Sequence, residues 1–344
     1  MRTTTRLAFN SMLATIAGLN GVDVADANKQ FSVAPAVAQT LFEKVQLSSE
    51  FLSSINVHVV PQQEGQKVGI AITRTIAGRT NTADGVTRRN PGNPTDTVGQ
   101  NYRCEKTDYD TALTYALLDQ WGHRPEFQTL VRDAIVKRQG LDKMMIGWNG
   151  TSVAATTDRS AHPLLQDVNK GWIQHVRKDR PDLIVSHGDH DANSIYVSDT
   201  GTADFVNLDA LVFDMIENLD EPFRDDTSLV VICGRELVHD KYFNLVNAAG
   251  DNAMQQLARD VLLSTKKIGG LPAARVPFFP AGKLAITRLD NLSIYEQENT
   301  QRRMIWEQPD LNRVADFQST NEAFVIEEYG LFTLAENIVM GAKV

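Results

Sequence analysis

Residues 68 to 115 constrain this chain more than any other stretch, because two strand-like runs enclose a polar middle that has nothing to bury. Val68, Ile70 and Ile72 alternate with small or polar neighbours, and Tyr109, Thr111, Leu113 and Tyr115 do the same on the return. This period of two marks half-buried strands. Between them, Thr73 to Asn101 is rich in Thr, Gly, Asn, Pro and Arg. An isolated two-stranded ribbon is marginal in water, and so long a structureless loop is uncommon inside a compact domain. The expectation is support from outside the subunit, by further copies of the same chain.

At 344 residues the chain exceeds the size at which one core keeps growing, which predicts two lobes. With 42% hydrophobic and 22% charged residues the composition is globular. No apolar run approaches the ~18 residues of a membrane span. Met1 to Asn10 carries Arg2 and Arg6 but lacks the apolar stretch of a secretory signal, so a cytoplasmic product is expected. Cys104 and Cys233 stand far apart without CxxC spacing and read as small buried hydrophobes. A net charge of −9 argues against general nucleic-acid affinity, which needs phosphate neutralisation by Lys and Arg. The loop is locally basic: Arg74, Arg79, Arg88, Arg89 and Arg103 face only Asp84 and Asp96. That pattern fits a solvated loop or a charge-matched contact with an acidic neighbour.

Along the rest of the chain, Phe9, Met12, Leu13, Ile16 and Leu19 have helical spacing and are followed by Gly21 and a polar tether to Gln30. Such a helix packs on the body, docks on another protein or is removed later. A second helix is expected over Pro35 to Phe51, using Val37, Leu41, Phe42, Val45 and Leu47, and a strand over Ile55 to Val60. Pro125 opens the longest helix, whose stripe runs through Phe127, Leu130, Val131, Ala134, Ile135, Leu141, Met145 and Trp148 to a stop at Asn149-Gly150. Its length suits a strut, and Gly140 within it implies close packing or a bend. After a polar joint over Thr151 to Ala161, Leu164 to Val176 has a helical pattern centred on Val168, Trp172 and Ile173. An alternating architecture follows: helices at Leu208 to Leu219, Glu236 to Val246 and Met254 to Leu263, and a buried strand at Leu229 to Cys233. Strands are expected at Ala274 to Phe278, Leu284 to Thr287, Leu292 to Tyr295 and Arg302 to Glu307, with a strand-rich end from Val314 to Met340.

Catalytic signatures are missing. No GxxxxGK[ST], GxSxG, GxGxxG or HExxH occurs, and Gly269-Gly270 is a turn. The best candidate for chemistry is His187, Asp189, His190 and Asp191, whose imidazoles and carboxylates are of the types that hold a divalent cation in a metal-dependent hydrolase. Neighbours on one loop diverge, however, and a site needs ligands from elsewhere. Asp225/Asp226 and Glu327/Glu328 read as solvated charges, since adjacent strand residues face opposite sides.

Several strings carry a resemblance: Asp158-Arg-Ser-Ala-His-Pro-Leu-Leu-Gln-Asp-Val168, Leu229-Val-Val-Ile-Cys-Gly-Arg-Glu-Leu237, Asp240-Lys-Tyr-Phe243, Ile268-Gly-Gly-Leu-Pro-Ala-Ala-Arg-Val-Pro-Phe278 and Asp290-Asn-Leu-Ser-Ile-Tyr295. Asn10 to Gly21, Arg138-Gln139 and Leu141-Asp142 add to them. With the order of parts, they resemble the major capsid proteins of tailed bacteriophages, of the peduovirus type. The resemblance implies an α+β capsid fold: an N-terminal scaffold-like, cleavable segment (1–31), an N-arm (32–61), an extended loop (62–102), a peripheral domain with the strut (103–203 and 306–344) and an axial domain (204–305). It implies hexamers and pentamers forming an icosahedral head around double-stranded DNA held without sequence specificity. Implied partners are scaffolding protein, maturation protease and portal protein, with assembly in the host bacterial cytoplasm and neither cofactor nor membrane. Phe31 and Ser32 become the candidate cleavage position. Arg79, Arg88, Arg89 and Arg103 become candidate inter-subunit contacts. No lysine lies between Lys67 and Lys106, so beyond its base the loop lacks an amine for the Lys-Asn weld of some relatives.

Overall fold

The computed structural model describes residues 1–67, 77–83, 85–89, 101–121, 127–234, 236–237 and 267–343. The run at Val68 to Ile72, most of the Glu236 to Val246 helix and all of the Met254 to Leu263 helix lie outside the described residues.

The N-terminal part comprises α1 (Thr3–Asn20), β1 (Phe31–Ser32), α2 (Pro35–Gln46), α3 (Glu50–Ser54), β2 (Asn56–Val60) and β3 (Glu64–Gln66). Gly21 ends α1 at φ 65°, a left-handed conformation that glycine adopts without a Cβ penalty. The single helix expected over Pro35 to Phe51 is broken instead. Ser48 Oγ bonds back to the Val45 carbonyl at 2.6 Å, and Leu47, expected on the apolar face, is 76% exposed. Serine hydroxyls compete for helix carbonyls in this way.

Beyond the loop come β4 (Asn101–Arg103), β5 (Glu105–Asp108), β6 (Thr111–Thr114), α4 (Tyr115–Trp121) and the strut α5 (Phe127–Asn149). The chain continues through α6 (Trp172–Asp179), β7 (Ile184–Val185), β8 (Ile195–Val197), α7 (Leu208–Glu217) and β9 (Val230–Cys233). Last are β10 (Lys267–Ile268), β11 (Leu271–Arg275), β12 (Leu284–Thr287), β13 (Leu292–Gln297), β14 (Arg302–Gln308), β15 (Arg313–Ile326), β16 (Thr333–Ala335) and β17 (Ile338–Met340). Leu164 to Gly171 form turns rather than the start of α6; Pro163 precedes them, and Asp167 and Asn169 are buried there as hydrogen-bonding groups. The strand expected over Ala274 to Phe278 ends at Arg275, ahead of Pro277, which has no N–H to give a ladder.

The 14-residue β15 is the spine of a seven-stranded sheet. Arg313 to Asp316 pair with both β14 and β6, and Glu322 pairs with both β13 and β5, so β14 and β13 follow one another along one edge while β6 and β5 line the other. Of the return run expected from Tyr109 to Tyr115, only Thr111–Thr114 is a strand, β6, which pairs with β15, and Tyr115 starts α4. A second sheet, in the order β10-β11-β9-β12-β16-β7, carries α7 through Leu208, Leu211, Val212 and Met215. Sheet membership crosses the expected lobe limits: β13, within 204–305, and β14, which starts there, join β15, whereas β16 and β7, outside that range, join the sheet of β12.

The strut packs on the seven-stranded sheet through its C-terminal half. Trp148 and Trp172 meet at 4.9 Å between ring centroids, Trp172 and Phe324 at 5.5 Å, and Trp172 Nε1 donates to the Ser293 carbonyl at 3.2 Å. A Cβ on Gly147 would collide with the Trp172 ring, and one on Gly140 would lie 2.5 Å from Ser48 Oγ, so both glycines serve close packing. Of the expected stripe, Met145 and Trp148 are buried and Phe127, Val131, Ile135 and Leu141 half-buried, whereas Leu130, at 63%, and Ala134 are exposed.

Within this contact lies a buried charge cluster. Lys143 Nζ donates to Glu296 Oε1 at 2.8 Å and to Glu322 Oε2, whose other oxygen accepts from Tyr109 Oη at 2.7 Å. Burial works against the Lys143 charge, but the two carboxylates outweigh it and hold the ammonium well above the ordinary lysine range. Burial pushes the Glu296 carboxyl up, with Lys143 pulling against it. Removing one member of a buried ion cluster strands the others, at a cost of about 3–5 kcal/mol. Lys143→Met should lower the unfolding free energy by about that amount in denaturant titration, and a loss below about 1 kcal/mol would contradict the anchoring role.

Candidate assembly interface

The loop stands on a ribbon of three residues per strand, β3 against β4, that belongs to neither main sheet. Tyr102 closes over Gly65, where an added Cβ would lie 2.7 Å from the phenol oxygen, and its ring meets Tyr295 at 5.0 Å. Cys104 is buried with Tyr295, Ala323 and Val325, and burial pushes its thiol up to about 12. Cys233 is buried in the second core, so both cysteines pack as small apolar groups.

Lys67, where the described chain leaves the ribbon, donates to the Ile326 carbonyl and lies 4.5 Å over the Tyr329 ring. Burial pulls it down to about 8, with Glu327, Asp179 and Glu328 opposing. Tyr329 Oη in turn donates to Asp179 on α6 at 2.7 Å. His175 on the same helix is pulled down to about 4 by burial, with Asp179 opposing. The loop foot is thus fixed to the end of β15 and to α6.

The four candidate arginines separate into two groups. Arg103 is engaged within the subunit, 2.9 Å from both Glu64 and Glu105. Arg79, Arg88 and Arg89 lie on the loop, where every described residue from 77 to 89 is exposed.

Phe31 and Ser32 form the edge strand β1, opposite Arg303 and Arg302 of β14. Phe31 is buried and Ser32 exposed. Of the roles open to the N-terminal helix, the structure has it packed on its own body. Phe9 sits on Ile305 and Val314 with Met12, Leu13, Ile16, Tyr115 and Leu118 around it, and Arg6 makes a two-pronged ion pair with Glu307 at 2.5 and 2.7 Å. Ile305 pairs with Asp316, two residues from Gln318, which bonds Gln139 of the strut. Strand alternation therefore puts α1 and α5 on the same face of the sheet.

The His/Asp loop has no metal-site geometry. Asp204 accepts from the backbone N–H groups of His190 and Tyr196 at 3.0 and 2.8 Å, and Asp191 accepts from Asn193 N at 2.9 Å. Among the described residues no three His, Cys, Asp or Glu side chains are placed to hold an ion. The acidic pairs are more than solvated charges. Asp226 meets Arg288 at 3.2 Å, Glu327 accepts from Tyr295 Oη at 3.0 Å, and Glu328 caps Gly330 N at 3.2 Å. Sequence reasoning missed the charged side chains that organise the contact, Lys143, Glu296, Glu322 and Lys67. The legible signal for Lys143 was its place in the apolar run ending at Trp148, and for Glu322 its place in a strand of buried residues.

A long helix across a sheet spined by one strand, a second α/β lobe and a loop on a detached ribbon are the parts of a tailed-phage capsid protein fold. A solved chain from the satellite phage P4 procapsid that includes the size determination (Sid) protein matches at a TM-score of 0.82 and 40% identity, covering 99% of both chains. A chain from the capsid of an empty GTA particle shares the fold at a TM-score of 0.52 and 13% identity, covering 85% of this chain and 90% of its own. The family model for the phage major capsid protein, P2 family, matches residues 8–338, and the chain belongs to that family. It is 44% identical to the capsid protein of Escherichia phage P2, over 99% of this chain and 96% of the relative. It is 37% identical to the major capsid protein of Serratia phage KSP20, over 98% and 97%. No helix among the described residues is long and apolar enough to cross a membrane.

His175 provides a pH test. Its folded value near 4 lies below its ordinary value of 6.5, so the unfolded chain takes the proton first and stability falls as pH drops through that window. Urea midpoints measured from pH 7 to pH 4.5 should fall more steeply for the natural chain than for His175→Gln; parallel slopes would remove the imidazole from the foot of the loop.

Proposed function

We propose that the chain is a structural, non-enzymatic subunit that closes into hexamers and pentamers, which tile an icosahedral head around phage double-stranded DNA. The observation that carries this reading is the extended loop, exposed at every described residue from 77 to 89 and standing on a ribbon of three residues per strand. Contacts between dissimilar surfaces close into rings when the rotation per contact allows it, and a loop laid on the next subunit is such a contact. Arg79, Arg88 and Arg89 are the loop cations available to meet a neighbour, with Arg103 bracing the foot. The proposed division is an N-terminal segment (1–31), an N-arm (32–61), the loop (62–102), a peripheral domain (103–203 and 306–344) and an axial domain (204–305), with strands exchanged between the sheets of the last two. A net charge of −9 suits a container whose wall must not hold DNA tightly.

Maturation by a protease acting near Phe31 and Ser32 fits the position of β1, an edge strand of two residues that local opening can release. Scaffolding and portal proteins complete the expected partners, and assembly takes place in the cytoplasm of the host bacterium.

Deleting residues 78–94 should leave a soluble, folded subunit that forms no closed shells in electron micrographs; full-sized shells from that variant would refute the role of the loop. Deleting Met1 to Gln30 should change shell size or scaffold recruitment, because it strips α1 from the strut-bearing face of the sheet. Unaltered particles would remove that role from α1.

A further inference from the structure

Under the foot of the loop lies a cavity of about 470 Å³ between the ribbon, the last residues of β15, Asn169-Lys170 and α6. Its described wall carries four basic side chains, Lys67, Arg103, Lys170 and Lys178, against two carboxylates, Glu64 and Glu105. Both carboxylates are already taken by Arg103. Lys67 is engaged with the Ile326 carbonyl and the Tyr329 ring. Lys170 and Lys178 are exposed and form no ion pair among the described residues. His175, between them, is held neutral at physiological pH by its burial. The wall thus carries more cations than carboxylates in a chain of net charge −9, with Glu327, Asp179 and Glu328 acting on Lys67, and its two exposed lysines form no ion pair among the described residues. Beside them stand apolar groups, including Val153 at 40% exposure and the buried Val325. A wall that mixes cations with apolar groups matches polypeptide side chains better than a bare phosphate backbone.

We propose that this cavity receives carboxylate side chains of a second copy of the chain, with Lys170 and Lys178 as the recognising cations, so that the foot of the loop, and not only its exposed arginines, reads the neighbour. The inference rests on the self-assembly reading and deepens it. A capsid protein meets its own acidic surface at very high local concentration in every shell. Charge complementarity of this kind sets register and suppresses wrong partners. Each exposed pair contributes little, but the contact recurs at every subunit boundary.

The test uses particles assembled from equal amounts of isotopically light and heavy full-length chain, treated with a carbodiimide that joins amines to carboxylates without a spacer. Mass spectrometry should find Lys170 or Lys178 joined to Asp or Glu peptides of the opposite isotope label. Links at these lysines confined to one label, or none, would overturn the proposal. In parallel, Lys170→Glu/Lys178→Glu should reduce shell yield at low salt by about tenfold or more. Lys170→Gln/Lys178→Gln should lose less, with the thermal melt of both subunits unchanged, since both side chains are exposed. Full shell yield from the glutamate variant would sink the idea while leaving self-assembly intact, whereas failure of the natural chain to form shells would instead remove the reading beneath it. Protection of the two lysines from acetylation only in DNA-filled particles would assign the cavity to nucleic acid and overturn the proposal.

Discussion

One ammonium fixes the relation between the strut and the sheet. Lys143 approaches from α5 and meets carboxylates of two adjacent strands, Glu296 on β13 and Glu322 on β15. Three charges out of water are tolerated only when they satisfy one another in one geometry, so the cluster specifies where the helix lies along β15. The aromatic contacts that follow, Trp148 on Trp172 and Trp172 on Phe324, then supply apolar burial without having to set that register alone.

From this fixed contact the less anchored parts extend in opposite directions. On one side the loop foot is held by Lys67 at the end of β15 and by Tyr102 over Gly65, while the described loop beyond it is exposed. On the other, α1 covers the strut-side face of β14 and β15 through a small apolar cluster separate from the main core. A rigid centre with peripheral segments that bury little apolar surface suits the proposed assembly into rings of more than one size. The segments free to adjust are those whose contacts cost least to break.

Much of this was legible in the chain. Gly21 after a helical run, the strand-rich end from Val314 to Met340 and the exact span of β12 follow from local chemistry. Gly140 read as close packing or a bend, and the structure has it against Ser48 and Leu52. Other parts were not. Leu130 has the spacing of a buried residue yet faces solvent, because amphipathic periodicity reports a face and not whether anything covers it. Arg103 read as a cation for a neighbour but is neutralised at home by Glu64 and Glu105, acids whose proximity depends on strand pairing. The His187 to Asp191 stretch holds metal-binding residue types whose divergence on one loop was legible, but that Asp191 and nearby Asp204 accept from backbone N–H groups was not.

By itself the sequence determined the kinds of element, many of their limits and the family, since these follow from periodicity, turn residues and distinctive strings over short range. Only the tertiary structure decided that β13 and β14 flank β15 while β16 crosses to the other sheet, that Lys143 is a buried cation and Lys67 a half-buried one, and that α1 shares a face with the strut. Each of those depends on which distant segments meet. Side-chain alternation states which way a residue points, and the choice of partner is made by burial and charge pairing between parts more than a hundred residues apart.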